Sequence, residues 1–324
     1  MMATLTTLTG LLLLIIGAEI MIRGAVAVAR NAEISPHVIG LTVIAFGTSA
    51  PELFVSLKAA HLGSPGIAIG NVIGSNIANI LLMIGTVGII YPFVCTGRSL
   101  RRDCLVLVIS TVVFIMLAGN GIIERWHGAI MVTCLTTYLF YCYFDERRFG
   151  IHIGIRAQEA DEIDHVPTTN SKAWLYTVAG LIGVLCGARL LVSGAMDIAE
   201  ALGVSETVIG ITMVALGTSM PELATTVVGA IRRQNDVALG NIIGSNIFNT
   251  LGILGAVSFV QPLEIPHEVL SFDLWIMTAV TAFFVVAVIS LQSLVRPIAI
   301  SFSLIYVAYI YAQFFPDRLG LPWL

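Results

Sequence analysis

The sequence predicts an all-α polytopic membrane protein: ten transmembrane helices in two inverted five-helix repeats, with discontinuous helices at a central ion site. Three observations predict it. The 324 residues are 57% apolar and only 11% charged, with a mean hydropathy of +0.94, and apolar runs long enough to span a hydrocarbon core of ~30 Å recur along the chain. Residues 40–85 are written again as residues 210–255, at a constant offset of 170 and without a gap. Each copy places one carboxylate, Glu52 or Glu222, in an apolar span, where a charge is costly and marks a functional site by default.

The spans are expected to be helices, because strands of a membrane barrel would alternate polar and apolar residues. Residues 5–29 form the first. No basic segment precedes this stretch, as one would in a signal peptide, and residues 11–29 align with 181–199 at the same offset. It therefore reads as the first helix of the repeat. Spans at 37–60, 66–92, 104–120 and 127–144 complete the first half. Those at 173–198, 207–230, 237–262, 271–291 and 297–315 make the second. The chain thus divides into a first half at 1–145, a linker at 146–172 and a second half at 173–324. Residues 31–92 match 201–262 at 26 of 62 positions. Identity fades after Pro92 and Pro262, so spans four and five are related in type only.

An odd number of spans per repeat forces opposite orientations, a recurring plan of secondary transporters. Lys58, Arg125 and Arg318 fall on the side of the termini. Arg30, Arg98, Arg101, Arg102, Arg147, Arg148, Arg156, Lys172, Arg232, Arg233 and Arg296 fall on the other. This bias places both termini outside the cytoplasm and the linker within it. The linker's acidic run (Glu159, Asp161, Glu162, Asp164) lacks the Gly-centred pattern of an EF-hand and reads as solvated.

Composition also excludes functions. The net charge is −4 with no basic run, which argues against a nucleic-acid partner. The five cysteines show neither metal spacing nor a disulfide framework. All six histidines lie at span ends or in loops, so the serines of the motif lack a base that would make one a nucleophile, and a histidine proton relay is disfavoured. A channel usually presents rings of equivalent residues, whereas an inverted repeat with broken helices fits alternating access.

The repeated motif carries the chemistry. In Gly47-Thr48-Ser49-Ala50-Pro51-Glu52 and its twin Gly217-Thr218-Ser219-Met220-Pro221-Glu222, each proline removes an amide donor and frees the glycine carbonyl four residues back. Such a carbonyl at membrane depth is tolerable where it lines a cavity or binds something. Thr48 and Glu52 are spaced i, i+4, which puts hydroxyl and carboxylate on one face of a helix. The next span carries Asn71, Ser75 and Asn79 as a stripe, twinned by Asn241, Ser245 and Asn249. Gly74 and Gly244 permit close helix approach or a break, and Asn76 and Asn246 can cap freed backbone. The result is a cluster of hard oxygens around a carboxylate, suited to calcium or sodium rather than zinc. Two carboxylates brought to ~5 Å at an effective dielectric of ~20 repel by ~3 kcal/mol, so a site built from both glutamates favours a bound Ca²⁺ or two Na⁺.

GTSAPE with GNVIGSNIAN, and GTSMPE with GNIIGSNIFN, resemble the alpha repeats of the calcium/cation antiporter superfamily, and prokaryotic sodium/calcium exchangers within it. The resemblance covers nearly the whole chain. It implies Ca²⁺/Na⁺ antiport in a prokaryotic inner membrane, with the two ions as cargo, no cofactor, the lipid bilayer as surroundings and a monomer as sufficient unit. It implies Glu52, Glu222, Thr48 and Thr218 as Ca²⁺ ligands. It adds Ser49, Ser219, Ser75 and Ser245 and the carbonyls of Ala45 and Ala215 for Na⁺, with Asn79 and Asn249 at the central polar position. Several family members, potassium-dependent exchangers among them, carry Asp at one of those two positions. Asn at both argues against potassium dependence. A stoichiometry of three Na⁺ per Ca²⁺ follows from the resemblance, and proton-coupled antiport stays open as an alternative because a desolvated glutamate can carry a proton. In the family the first and sixth spans move as a pair. Here they carry Glu19 and Arg189 at equivalent repeat positions, which suggests an ion pair between them.

Overall fold

The structure, a computed structural model, describes residues 2–94, 97–149, 167–202, 217–267, 269–291 and 293–314. The acidic run of the linker and Ala215 lie outside these. The described chain is mostly helical: α1 Met2–Ala32, α2 Pro36–Thr48, α3 Ala50–His61, α4 Pro65–Ile90, α5 Arg98–Ala118, α6 Arg125–Phe149, α7 Asn170–Ala201, α8 Met220–Ile231, α9 Asn235–Val260, α10 Val269–Leu291 and α11 Arg296–Phe314. Among the described residues, α1, α4, α7, α9 and α10 are long and apolar enough to cross a membrane, and the bent pair α2–α3 adds a sixth such span.

The helices outrun the apolar runs that predict them. Residues 5–29 predict a helix realised over Met2–Ala32, and 104–120 one that begins at Arg98. Hydropathy marks the part that meets lipid, while backbone hydrogen bonding continues to the next turn signal, which for α5 is Gly97 at φ 137°. Arg98, Arg101 and Arg102 therefore sit in the first turns of α5 and not in a connection.

The chain resolves into two compact units, and each draws on both halves of the sequence. The first comprises residues 1–51 and 139–244, the second 52–138 and 245–324.

In the first unit, α1 and α7 pack along their lengths in antiparallel register. Gly10, Gly17 and Gly24 meet the backbone at Leu191, Val184 and Thr177, while Gly180, Gly187 and Gly194 meet Met21, Leu14 and Thr7. The two sets are spaced by seven and are 170 residues apart, so they are one set written twice. A Cβ on Gly17 would lie 2.6 Å from the Val184 nitrogen, which no side chain tolerates. Met21, Ile22, Ala25, Val26, Val184 and Ala188 continue this seam as an apolar core. Small residues of this kind let helix backbones approach where lipid supplies no hydrophobic drive between helices. The outer face of α1 exposes Leu8, Leu12 and Ile16.

The second unit shows the same doubling. Gly85 of α4 packs on Ser303 of α11, and Gly255 of α9 packs on Met131 and Val132 of α6. Strand β1 (Phe93–Val94) pairs antiparallel with β4 (Ser293–Leu294), and β2 (Ile122–Ile123) with β3 (Leu263–Glu264). Each pair joins a strand from one repeat to a strand from the other.

Candidate functional site

The Pro-Glu motif breaks its helix at Ser49, and Ser219 takes the same backbone conformation in the second copy. α2 begins at Ser35, whose hydroxyl accepts from the Val38 N–H at 3.4 Å, with Pro36 in the first turn. It ends where Ser49 takes φ −82°, ψ 7°. The chain resumes as α3 with a bend of 42°. Ser219, at φ −87°, ψ 0°, starts α8 with Pro221 in its first turn. Pro51 and Pro221 lack the N–H that would have continued the helix, as the sequence predicts.

Glu222 and Glu52 are both buried, at 1% exposure. In the first unit, Ser49 Oγ donates to Glu222 Oε1 at 2.9 Å, so the break of one repeat touches the carboxylate of the other. Thr48 Oγ1 lies 3.3 Å from Asn241 Oδ1 and 3.1 Å from the Ile44 carbonyl. The bend at Ser49 falls between Thr48 and Glu52, whose shared face the four-residue spacing predicts for a straight helix. The Ala45 carbonyl accepts the Ser49 N–H at 3.0 Å. Thr218 and Ser219 are buried. Among the described residues Glu222 has no cationic partner, and its Oε2 has no hydrogen bond. A buried ionised carboxylate in this state is costly unless a cation compensates it.

In the second unit, Glu52 shares its surroundings with Asn71: the Asn71 Nδ2 donates to the Glu52 carbonyl at 3.2 Å and to Ser56 Oγ at 3.0 Å. Ser75, Asn79, Ser245 and Asn249 are buried. Asn79 Oδ1, Ser245 Oγ and both side-chain polar atoms of Asn249 have no hydrogen-bond partner among the described residues. Buried polar atoms are nearly always satisfied, so these oxygens are suited to a hard cation. Asn79 opens a π-helical turn, Asn79–Met83, and Asn249 lies in its twin, Phe248–Ile253. Such turns widen the helix and are frequent at functional sites.

Two expectations change, for Asn76 and for Glu19. Asn76 does not cap backbone: its Nδ2 donates to Thr250 Oγ1 at 2.9 Å, because α4 stays helical through Gly74 and leaves no freed group there. Gly244 takes the first of the two roles the sequence allows it, close approach, against Leu41 and Ala45. Glu19 pairs with Arg23 at 2.7 Å and with Arg232 at 2.7 Å rather than with Arg189. The antiparallel seam sets Gly17 beside Val184 and Gly10 beside Leu191, so Arg189 stands about two turns from Glu19. Arg232 is 48% exposed, and such a pair is worth ~1 kcal/mol or less. A thermal-melt double-mutant cycle of Glu19→Gln with Arg232→Gln is expected to show that small coupling, while Glu19→Gln and Arg189→Gln add independently; coupling of the second pair would contradict the geometry.

Two features were not found by sequence reasoning. Asn241 repeats the Asn71 contacts, donating to the Glu222 carbonyl at 3.3 Å and to Thr226 Oγ1 at 3.0 Å. Asp273, in the first turn of α10, accepts from the Tyr309 hydroxyl at 3.0 Å and from Gln313. Its signal was available: Asp103 stands 170 residues earlier and is buried.

A family model described as sodium/calcium exchanger protein matches residues 2–144 and 172–315. The chain belongs to the sodium/calcium exchanger family. That family is one of integral membrane cation exchangers, within the calcium/cation antiporter superfamily. Among similar proteins, the antiporter-named CaxA of Alkalimonas amylolytica is 35% identical over 97% of this chain and 98% of its own. The sodium/calcium exchanger MaX1 of Methanosarcina acetivorans is 30% identical over 96% and 98%, and the inner membrane protein YrbG of Escherichia coli 32% over 88% of each. A solved structure of the exchanger NCX_Mj, soaked with zero Na⁺ and Ca²⁺, matches with a TM-score of 0.83 at 31% identity, covering 96% of this chain and 98% of that one.

Proposed function

We propose that the chain is a secondary active antiporter that exchanges Ca²⁺ for Na⁺ by alternating access, as ten spans in two inverted repeats, in a prokaryotic inner membrane. The observation that carries this reading is Glu222: a buried carboxylate held by a serine from the other repeat's helix break, with one oxygen that has no hydrogen bond among the described residues. Its repeat twin Glu52 is as deeply buried. The antiparallel seam of α1 and α7, which are equivalent helices of the two repeats, supports the inversion. Helices α5, α6 and α11 are less apolar, but at 21, 25 and 19 residues they have the length of a span. The termini lie outside and the linker in the cytoplasm, by the distribution of Lys and Arg.

In this scheme Glu52, Glu222, Thr48 and Thr218 take Ca²⁺. Ser49, Ser219, Ser75, Ser245 and the Ala45 and Ala215 carbonyls add Na⁺ ligands, with Asn79 and Asn249 as neutral central groups. The ions are cargo, no cofactor takes part, and no covalent chemistry is asked of the serines. Only a charge-compensated site passes through a dehydrated occluded state, which yields exchange rather than a leak.

The test is ⁴⁵Ca²⁺ uptake into proteoliposomes under imposed Na⁺, K⁺ or H⁺ gradients. Uptake is expected to follow an opposing Na⁺ gradient and to ignore K⁺. Uptake that follows a proton gradient instead assigns the glutamates to proton coupling, and uptake indifferent to every counter-gradient marks a channel. Because one net charge exchanges ~2.3 kcal/mol per 100 mV with the membrane potential, three-for-one exchange also responds to voltage.

A further inference from the structure

We propose that Asn71 and Asn241 are positioning residues that fix the axial register between each glutamate helix and the Ser/Asn helix that follows it. The proposal rests on the exchange reading above and deepens it.

A carboxamide NH₂ has two N–H donors. In both repeats one goes to the carbonyl of the glutamate itself and the other to a hydroxyl four residues on: Glu52 and Ser56 at 3.2 and 3.0 Å, Glu222 and Thr226 at 3.3 and 3.0 Å. The hydroxyl protons are spent elsewhere. Ser56 donates to the Ala68 carbonyl at 3.3 Å, and Thr226 to the Glu222 carbonyl at 2.7 Å. Each hydroxyl is therefore free to accept from its asparagine, and the donor directions close in both copies. Ser56 and Thr226 differ in size and surroundings, yet the distances agree within 0.1 Å. A contact that merely glued helices together would not need to repeat in this detail.

The consequence lies one and two turns further along. Ser75 and Asn79 follow Asn71 at i+4 and i+8, so the grip on Glu52 decides how far along the axis they stand from that glutamate. The grip is on the glutamate's own carbonyl, so without it the Glu52 carboxylate shifts against the rest of the site; a slip of a third of a turn is about 1.8 Å, against Ca–O distances of ~2.3–2.6 Å that this Ca²⁺ ligand has to keep. In the second repeat Asn241 is fully buried and its Oδ1 lies 3.3 Å from Thr48 Oγ1, as one of the acceptors within reach of that hydroxyl. It thereby also stands against a hydroxyl from the other repeat's break. Aspartate in either place would set a carboxylate against a carbonyl.

The test compares Asn71→Leu and Asn241→Leu, which keep bulk and remove both donors, with Thr226→Val and Thr226→Ser. Na⁺-driven ⁴⁵Ca²⁺ uptake gives KM for Ca²⁺ and half-saturating Na⁺, and melting in detergent without either ion gives the stability of the fold. Each leucine variant is expected to raise the Ca²⁺ KM at least ten-fold with little change in the ion-free melting temperature. Thr226→Val moves KM the same way, and Thr226→Ser restores it. Wild-type KM in both leucine variants overturns the proposal, as does a loss of ion-free stability with unchanged KM in Thr226→Val. Should the leucine variants not fold, Thr226→Val and Ser56→Ala decide it by the same KM criterion. A wild-type protein without gradient-driven uptake sinks the exchange reading instead. The register proposal is then judged by the Ca²⁺-induced rise in melting temperature, which the asparagine variants are expected to lose and which, if retained at wild-type size, overturns it.

Discussion

Glu222→Gln is expected to reduce Na⁺-driven ⁴⁵Ca²⁺ uptake to the level of protein-free vesicles, and Glu52→Gln to do the same. The substitution keeps shape and removes one charge. Both carboxylates are buried at 1% exposure, and removing one partner of a buried charge pair costs about 3–5 kcal/mol, more than a hundred-fold in affinity. Glutamine also carries an NH₂ that has to face the cation or the Ser49 hydroxyl, which now donates to Glu222 at 2.9 Å. Ser49→Ala removes a neutral donor without adding a wrong one, so its effect on the Ca²⁺ KM is expected to be smaller. Sustained wild-type flux in both glutamine variants would remove the glutamates from the ion path and with them the proposed site.

The second large effect is mechanical in origin. Gly187→Leu and Gly17→Leu are each expected to prevent assembly of α1 on α7, seen as loss of a monodisperse, cooperatively melting species. At these positions a Cβ already meets backbone: Leu14 for Gly187, and Val184 for Gly17 at 2.6 Å. Backbone cannot move aside as a flexible side chain can. Overpacking usually costs ~1–3 kcal/mol, a range that suits the alanine variants, whose melting temperatures should fall measurably. Leucine demands a separation that breaks contacts along the whole seam. Gly63, at φ 75° with open space around it, gives the contrast. There alanine strains the backbone alone, and its effect should be smaller than that of Gly187→Leu. Equal behaviour of the two sites would show that the seam is not under steric control.

Much of this was legible in the sequence because duplication writes the same constraint twice. The Pro-Glu breaks, the Ser/Asn stripes and the approximate spans all follow from chemistry that acts within a few residues. What stayed hidden depends on distant partners. Periodicity alone could not reveal that Glu19 selects Arg232, 213 residues away, because register between helices is set by packing at the glycines. Asn71 was visible as part of a polar stripe, but its role as donor to a carbonyl on another helix was not. The π-helical turns at Asn79 and Phe248 have no sequence signature, since one extra residue in a turn changes no apolar period enough to be seen. Asp273 was missed for a plainer reason: identity between the repeats fades after Pro92 and Pro262, so a match that survives there carries little weight beside the Pro-Glu motif.

The glycine seam has a consequence for how force is carried. Its close contacts recur every seven residues on both helices, so a relative slide short of about 10.5 Å drives a bulky side chain into backbone at several places at once. α1 and α7 are thereby keyed like two toothed bars, and a push on one is delivered undiminished to the other. A displacement of either helix along the seam therefore carries its repeat twin with it, and the pair moves as one rigid bar.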